Sequence, residues 1–225
     1  MTASERPSPN FDGRPADTPI DMLVIHYTGM ESAEAALARL CDPESRVSAH
    51  YVIGEDGGVT SLVDEKHRAW HAGEAFWCGH TDINGRSVGI ELVNPGHEFG
   101  YRDFPDAQMV ALEGLARDIL GRHPIPARNV VGHSDVAPGR KADPGERFDW
   151  KRLAAAGVGL WPEGDIGEGD ADKVSEMFSS YGYDTRDMEA AVFAFQRHFC
   201  PETHGSPADG AMAERLRALL DLCDT

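Results

Sequence analysis

The chain has 225 residues, 41% of them hydrophobic, and its 21 basic and 38 acidic side chains give a formal charge of −17. This length and composition are typical of a soluble globular protein with one or two domains. The negative charge argues against nucleic acids and anionic membranes as partners. No apolar run approaches the roughly 18 residues of a membrane helix, so we expect no membrane insertion.

The N-terminal segment and the spacing of the cysteines indicate the cellular compartment. The first 20 residues contain neither the basic nor the apolar segment of a secretory signal. We therefore expect a cytoplasmic protein, with the periplasm or cell envelope as the alternative if a leader has been removed. The cysteines lie far apart, at Cys41, Cys78, Cys200 and Cys223. They form no C-x-x-C pair and are expected to be free thiols.

Apolar periodicity predicts strands that alternate with helices. In chain order, the predicted elements are a strand at 20–27, a helix at 31–40, a hairpin of strands at 49–53 and 59–63, a strand at 87–93, a helix at 106–122, a strand at 129–133 and a helix at 149–156. This order predicts an α/β fold with a central mixed β-sheet flanked by helices.

The two ends of the chain differ from this central part. Residues 1–19 are rich in Pro, Ser and Asp, and we expect an extended segment. Residues 161–169 are rich in Gly and read as a linker. Residues 170–225 carry three amphipathic stripes, which predict a small C-terminal three-helix domain docked on the domain formed by residues 20–160.

Four ionisable residues stand where the predicted strands bring them together. His26 and His133 each end a strand, Asp143 follows in a loop rich in Gly and Pro, and Glu91 lies inside an apolar strand. A carboxylate in a buried strand is costly unless it has a partner or a function. Two imidazoles and one carboxylate suit Zn²⁺ and leave a fourth position for water. Glu91 is then the candidate general base.

Lys141, two residues before Asp143, is the candidate for stabilising negative charge on a reacting oxygen. Each of these residues also has a structural interpretation. His26 is then a hydrogen-bonded core histidine, and Glu91 pairs with Arg86 or Lys141. Asp143 is then an ordinary turn residue, and Lys141 is simply solvated.

Five ordered segments resemble a known family. They are VIHYT at 24–28, VSAHYVI at 47–53, AWHAG at 69–73, NGRSVGIELV at 84–93 and GHSDVAPGRKADPG at 132–145. Together they resemble the zinc N-acetylmuramoyl-L-alanine amidases of the AmpD/AmiD type, which share a fold with peptidoglycan-recognition proteins. The resemblance implies one Zn²⁺ per chain. It also implies cleavage of the amide between N-acetylmuramic acid, or its anhydro form, and L-alanine, in cell-wall turnover or recycling.

The resemblance assigns roles to the same residues. It implies that His26, His133 and Asp143 bind zinc, that Glu91 is the catalytic glutamate and that Lys141 supports the transition state. The substrate-binding positions in the matched segments are Arg46, His50, Trp70, His71 and Asn84.

One position departs from the family pattern. Asp82 stands where some members carry an arginine that touches substrate. A preference for the anhydro sugar is therefore not carried over to this chain.

The tail also resembles a known module, the three-helix peptidoglycan-binding domain of AmiD-type enzymes. The alternative is a helical cap that only stabilises the catalytic domain. The expected partners are muropeptides or peptidoglycan, and we expect a monomer. The alternative function is a non-catalytic peptidoglycan-recognition protein on the same fold.

Overall fold

The structure, a computed structural model, describes residues 3–163 and 173–223. Its strands within these ranges are β1 (Ser4–Glu5), β2 (Phe11–Gly13), β3 (Met22–Tyr27), β4 (Tyr51–Ile53), β5 (Val59–Ser61), β6 (His67–Ala69), β7 (Ser87–Leu92) and β8 (Val130–Gly132). Six of them form a sheet in the order β1-β5-β4-β7-β3-β8, and β2 and β6 form a separate pair.

The helices flank this sheet, and in the chain some lie between its strands and the others follow its last strand. They are α1 (Ala33–Cys41), α2 (Ile83–Arg86), α3 (Gly96–Phe99), α4 (Asp106–Arg122), α5 (His133–Val136), α6 (Trp150–Ala155), α7 (Val174–Tyr181), α8 (Met188–Phe199) and α9 (Gly210–Cys223). Short 3-10 turns occur at Pro43–Ser45, Ala127–Asn129 and Pro201–Thr203. No helix within the described ranges is long and apolar enough to cross a membrane.

The centre of the sheet is parallel. β3 lies between β7 and β8 and runs parallel to both, whereas β4 and β5 form the predicted antiparallel hairpin. A parallel strand is covered on both faces, which explains why β3 is apolar along nearly its whole length. Successive side chains of β3 point to opposite faces, so Met22, Val24 and His26 share one face, while Leu23 and Ile25 share the other.

Each face of the sheet has its own apolar cluster. Leu23 and Ile25 pack with residues of α4 and α6. On the opposite face, Met22 and Val24 belong to the same apolar cluster as Phe195 of α8 and residues of α7 and α9. The C-terminal helices therefore share one core with the sheet, on the face that also carries His26.

A buried polar cluster fixes these helices in place. Asp135 of α5 is fully buried and accepts hydrogen bonds from the hydroxyl of Tyr183 and from Nδ1 of His198, each at 2.7 Å. The His198 ring also stacks on Trp150, with ring centroids 3.7 Å apart. Burying a carboxylate is costly unless it is hydrogen-bonded, so these contacts define one docked arrangement.

The predicted fold class is confirmed, and the predicted helix at 106–122 coincides with α4. The extended N-terminal segment contains two short strands, since β1 pairs with β5 and β2 pairs with β6. Strands of two or three residues have too little alternation to be recognised from sequence. Of the predicted linker, residues 164–169 lie outside the described residues.

The shared core predicts cooperative unfolding. Phe195→Ala removes a fully buried ring and is expected to lower the free energy of unfolding by about 3–5 kcal/mol. Urea denaturation followed by circular dichroism and tryptophan fluorescence should show one coincident transition. Val110→Ala, at a position 47% exposed, is the control and should change the free energy by less than about 0.5 kcal/mol. Two separate transitions would contradict a common core.

Candidate metal centre and active site

The sheet register brings two of the predicted residues together. His26 of β3 and Glu91 of β7 are direct cross-strand partners, so their side chains leave the sheet side by side on one face. His133 follows the last residue of β8, the neighbour of β3 on its other side. The backbone N–H of Ser134 donates to the carbonyl of Asp143 at 2.8 Å, which folds the loop back towards His133.

Three potential ligand atoms form a nearly equilateral triangle. Nδ1 of His26 lies 2.9 Å from Nδ1 of His133, and each of these atoms lies 3.0 Å from Oδ2 of Asp143. All three residues are buried. Within the described residues, this is the group of His, Cys, Asp or Glu side chains whose geometry suits a metal ion.

A chain of hydrogen bonds determines which nitrogen of each ring carries a proton. The Ser87 hydroxyl donates its single proton to the carbonyl of Ile83 at 2.6 Å. Its oxygen lies 3.1 Å from Nε2 of His71 and can therefore only accept the proton of that nitrogen. Since burial lowers the pKa of His71 well below its ordinary value, this ring is neutral and its Nδ1 is a hydrogen-bond acceptor.

This assignment extends to His26. Nε2 of His26 lies 3.0 Å from Nδ1 of His71, and because that atom accepts, Nε2 of His26 must carry the proton. Burial lowers the pKa of His26 to about 4. The ring is neutral at pH 7, and the lone pair of its Nδ1 points at the centre of the triangle.

Gly89 makes room for this relay. It lies on the site face of β7, and a Cβ atom added there would come within 2.6 Å of Cγ of His71. Contacts this close do not occur in proteins without displacement of one partner. The absence of a side chain at position 89 therefore allows the His71 ring to lie against the sheet and to orient His26.

His133 is oriented by the backbone. Its Nε2 lies 3.0 Å from the carbonyl of Ala72, an acceptor, so Nε2 carries the proton and Nδ1 presents its lone pair. The side-chain carbonyl of Asn84 accepts the N–H groups of His71 and Ala72 at 3.0 and 2.8 Å. The guanidinium of Arg140 donates to the carbonyls of Ala72 and Glu74. These hydrogen bonds hold residues 71–74 in place, and the carbonyl of Ala72 in this segment orients His133.

The charge of Asp143 completes the donor set. Its Oδ2 lies 3.0 Å from Nδ1 of each histidine. With Nε2 of both rings protonated, two lone pairs and a carboxylate oxygen face one another. Such an arrangement fits a cation. His26, His133 and Asp143 would hold the ion through these three atoms, and a site with three protein ligands would leave a position for water or substrate.

Glu91 stands beside this triangle with one oxygen unpaired. Its Oε2 is buried and has no hydrogen-bond partner among the described residues. Burial raises the pKa of this carboxyl well above its ordinary value, the charge of Asp143 adds to the rise, and Lys141 opposes it. An unpaired buried carboxyl with a raised pKa is typical of a group that exchanges protons. Its ion pairing with Arg86 is ruled out, because Arg86 binds Asp21 instead.

The site opens into a groove of about 600 Å³. Its walls include Trp70 and Phe99, and its floor includes His133, Asp143 and Glu91. Lys141 is exposed at the rim and is one of the groove residues. The groove is therefore an open, mostly polar cleft with the candidate metal centre at its base.

The predicted substrate contacts divide into two groups. Trp70 lines the groove, and Arg46 is exposed with the neighbouring Val47 and Ser48 in the groove wall. These two positions remain candidates for substrate binding. Arg46 has a left-handed φ of 54°.

The other three predicted contacts have internal partners instead. His50 is fully buried, accepts the N–H of Gly89 at 2.9 Å through Nδ1, and places Nε2 3.1 Å from the Arg14 guanidinium. Both ring nitrogens of His71 and the side-chain carbonyl of Asn84 are occupied by the bonds described above. In this structure these bonds let His50, His71 and Asn84 position the site, and His71 also lines the groove. Contact of these three residues with substrate stays a prediction.

Three residues of the site were not recognised from sequence. Ser87, Gly89 and Glu91 are alternate residues of one strand and therefore share a face of the sheet. This spacing was the signal in the sequence that could have identified Ser87 and Gly89. Arg140 precedes Lys141 in the loop, but nothing in its sequence context indicates that it binds the carbonyls of Ala72 and Glu74. Such contacts between distant segments depend on the fold.

Comparisons with known proteins agree with this geometry. The sequence model of the family described as N-acetylmuramoyl-L-alanine amidase matches residues 16–146. The chain is 36% identical to the N-acetylmuramoyl-L-alanine amidase AmiD of Escherichia coli over 231 residues, which cover 90% of this chain and 83% of that protein. It is 36% identical to the 1,6-anhydro-N-acetylmuramyl-L-alanine amidase AmpD of Enterobacter cloacae over 172 residues, covering 69% and 90%.

A solved structure is similar along nearly the whole chain. It is the complex of AmiD from E. coli with the substrate anhydro-N-acetylmuramic acid-L-Ala-D-gamma-Glu-L-Lys. The TM-score is 0.83 at 35% identity, with 92% of this chain and 91% of that chain covered. The resemblance inferred from the five sequence segments is thereby confirmed.

Gly89→Ala tests the relay through His71. The added methyl group displaces the His71 ring and releases the orientation of His26, so the affinity for zinc should fall by about 10–100-fold. A competitive titration of zinc against a chromophoric chelator measures this change. Gly121→Ala, at an exposed position of α4 with open space around it, is the matched control and should bind zinc normally. Unchanged zinc affinity of Gly89→Ala would contradict the relay.

Proposed function

The chain belongs to the N-acetylmuramoyl-L-alanine amidase family, and we propose that it is a zinc-dependent hydrolase of muropeptides or peptidoglycan. The bond cut is the amide between the lactyl group of N-acetylmuramic acid, or its anhydro form, and the L-alanine of the stem peptide. The observation that carries the proposal is the triangle of His26, His133 and Asp143, with its lone pairs turned inward, beside the unpaired carboxyl of Glu91.

The donor set supports zinc as the metal. Two imidazole nitrogens and one carboxylate oxygen match a catalytic zinc site with three protein ligands and an open position. Zinc bound there supplies a Lewis acid and makes hydroxide available near neutral pH. His26, His133 and Asp143 hold the ion, and His71 and the carbonyl of Ala72 keep both imidazoles in the tautomer that binds metal.

Glu91 is proposed to move the proton. Its Oε2 accepts the proton of the attacking water and delivers it to the nitrogen of L-alanine as the amide bond breaks. The raised pKa favours this role, because a carboxyl that binds protons more tightly than usual both takes and returns one near neutral pH. The carbon–nitrogen bond breaks with this proton on nitrogen, so L-alanine leaves as an amine and the muramic acid as a carboxylic acid. Proton exchange with water then gives the ammonium and the carboxylate.

Lys141 and the groove are proposed to hold the substrate. The Lys141 ammonium provides positive charge for the amide oxygen as the carbon becomes tetrahedral. Trp70 offers an aromatic surface to the sugar, and Arg46 is free to bind its polar groups, since it makes no hydrogen bond or ion pair to any described residue. Asp82 pairs with Arg68 at 3.0 Å, so this position does not supply the arginine found in some relatives.

The physiological substrate and compartment remain predictions. The names of both relatives support muropeptides, and AmpD is named for the anhydro form. Cytoplasmic recycling is the proposed setting, and the C-terminal helices are proposed as a peptidoglycan-binding-like domain. Comparing hydrolysis of anhydro-muropeptide, reduced muropeptide and intact sacculi addresses both points.

Two substitutions test the assignment of the site. Glu91→Gln should lower kcat by about 10²–10⁴-fold while the protein keeps one zinc per chain. His133→Ala should lose both zinc and activity, because it removes a ligand. Peptide release from a muropeptide and zinc analysis of the purified variants give the two readouts.

The control is Glu176→Gln, at an exposed position of α7, which should retain full activity. Unchanged turnover in both site variants would contradict the proposed mechanism. A wild-type protein that binds muropeptide but releases no peptide would instead support the non-catalytic recognition function.

A further inference from the structure

A second cavity, of about 390 Å³, continues from the groove towards the C-terminal helices. It lies between α8 and the loop at 139–142, and it shares Arg140, Lys141 and Ala142 with the groove. We call this second cavity the interdomain cleft. A substrate that lies over the metal centre can therefore extend past Lys141 into the interdomain cleft without leaving the surface.

The α8 wall of the cleft carries opposite charges at its two ends. Glu189, Phe193 and Arg197 all line the cleft, and their spacing of four residues places them on one face of the helix. Eight residues of helix separate the acidic and the basic residue by about 12 Å. The cleft thus presents a carboxylate, an aromatic ring and a guanidinium in a row.

Arg197 is the unusual member of this row. It is partly buried, makes no hydrogen bond or ion pair with any described residue, and has a buried Nε without a partner. A buried guanidinium N–H without an acceptor is costly, so this position is suited to an anionic ligand. Its neighbour His198 is fixed by Asp135 and Trp150, which holds this part of α8 against the catalytic part.

Arg197 also stands close to the reaction groove. Arg197 lines the interdomain cleft together with Lys141 and Ala142, and both of these residues also line the groove. A ligand that extends from the groove into the interdomain cleft therefore enters the cavity that Arg197 lines.

The other end of the cleft is acidic and accessible. Glu189 is exposed and makes no hydrogen bond or ion pair with the described residues. Asp187, beside it, caps α8 by accepting the N–H of Ala190 at 3.1 Å. Glu189 is thus the free carboxylate of this end, available to a cationic group.

The chemistry of a stem peptide matches this arrangement. A D-glutamate joined through its γ-carboxyl keeps its α-carboxylate free, and the lysine or other diamino acid that follows carries an ammonium group. A fully extended γ-glutamyl-lysine unit places these two charges at most about 14 Å apart by ordinary bond lengths. This span accommodates the roughly 12 Å between the ends of the α8 row.

We propose that the interdomain cleft binds the stem peptide, with Arg197 receiving the free α-carboxylate of the γ-linked D-glutamate and Glu189 facing the ammonium of the next residue. Phe193 packs against the methylene groups between them. The inference rests on the proposed function and adds the C-terminal helices to the determinants of substrate specificity. Arg197 and Glu189 are binding residues, and neither takes part in the chemical step.

The test compares three substrates that differ in one charge each. They are a muropeptide ending in L-Ala-D-γ-Glu-L-Lys, its α-carboxamide counterpart, and its Nε-acetyl-lysine counterpart. For the wild-type protein, KM should rise about tenfold on loss of the α-carboxylate and less on acetylation, since Glu189 is exposed. The kcat should be similar for all three, because the reacting bond is unchanged.

The variants should remove these preferences selectively. Arg197→Gln should raise KM about tenfold for the parent substrate and leave KM for the carboxamide unchanged, and Arg197→Lys should recover part of the loss. Glu189→Gln should abolish the effect of acetylation alone. Arg217→Gln, on α9 in ion pairs with Glu214 and Asp221, is the matched charge control and should behave as wild type.

Equal effects of Arg197→Gln on the carboxylate and carboxamide substrates, or equal wild-type KM for both, would overturn the inference while leaving the amidase function intact. If the wild-type protein hydrolyses none of the three, the proposed function fails. Calorimetric affinities of the same three ligands would then decide between binding and no binding in the cleft. Melting temperatures of all variants establish that they are folded.

Discussion

The hydrogen bond from the Ser87 hydroxyl to the carbonyl of Ile83 sets the tautomers of His71 and His26. Once that proton is committed, His71 must donate to Ser87 and accept from His26. His26 must then turn a lone pair towards His133 and Asp143. Three electron-rich atoms within 3.0 Å of one another repel each other unless positive charge neutralises them, so this geometry supports a metal ion.

The sheet and the C-terminal helices supply the surroundings that this arrangement needs. Parallel β3 and β7 hold His26 and Glu91 at the same level, and β8 delivers His133 from the other side. The helices pack against the same face through Met22 and Val24. Burial at the base of the groove raises the pKa of Glu91, and low local polarity strengthens each electrostatic interaction there.

The sequence predicted the parts of the molecule that have strong local patterns. β3 and α4 follow from apolar runs and from 3.6-residue periodicity, and the ligand set follows from polar residues at strand ends. The one-turn helix α5 and the two-residue strand β1 were not predicted, because elements this short show no periodic pattern of apolar residues. The internal hydrogen bonds of His50 and His71 could not be predicted, since a motif identifies a residue without showing which way its side chain points.

The proposed hydrolysis depends on a metal ion held by two imidazoles and one carboxylate. X-ray absorption spectroscopy of the purified protein tests this coordination most directly. We predict one zinc per chain, with a first shell of nitrogen and oxygen at about 2.0–2.1 Å and the multiple scattering of imidazole. A protein without stoichiometric zinc, or a shell of sulfur at about 2.3 Å from its free cysteines, would contradict it.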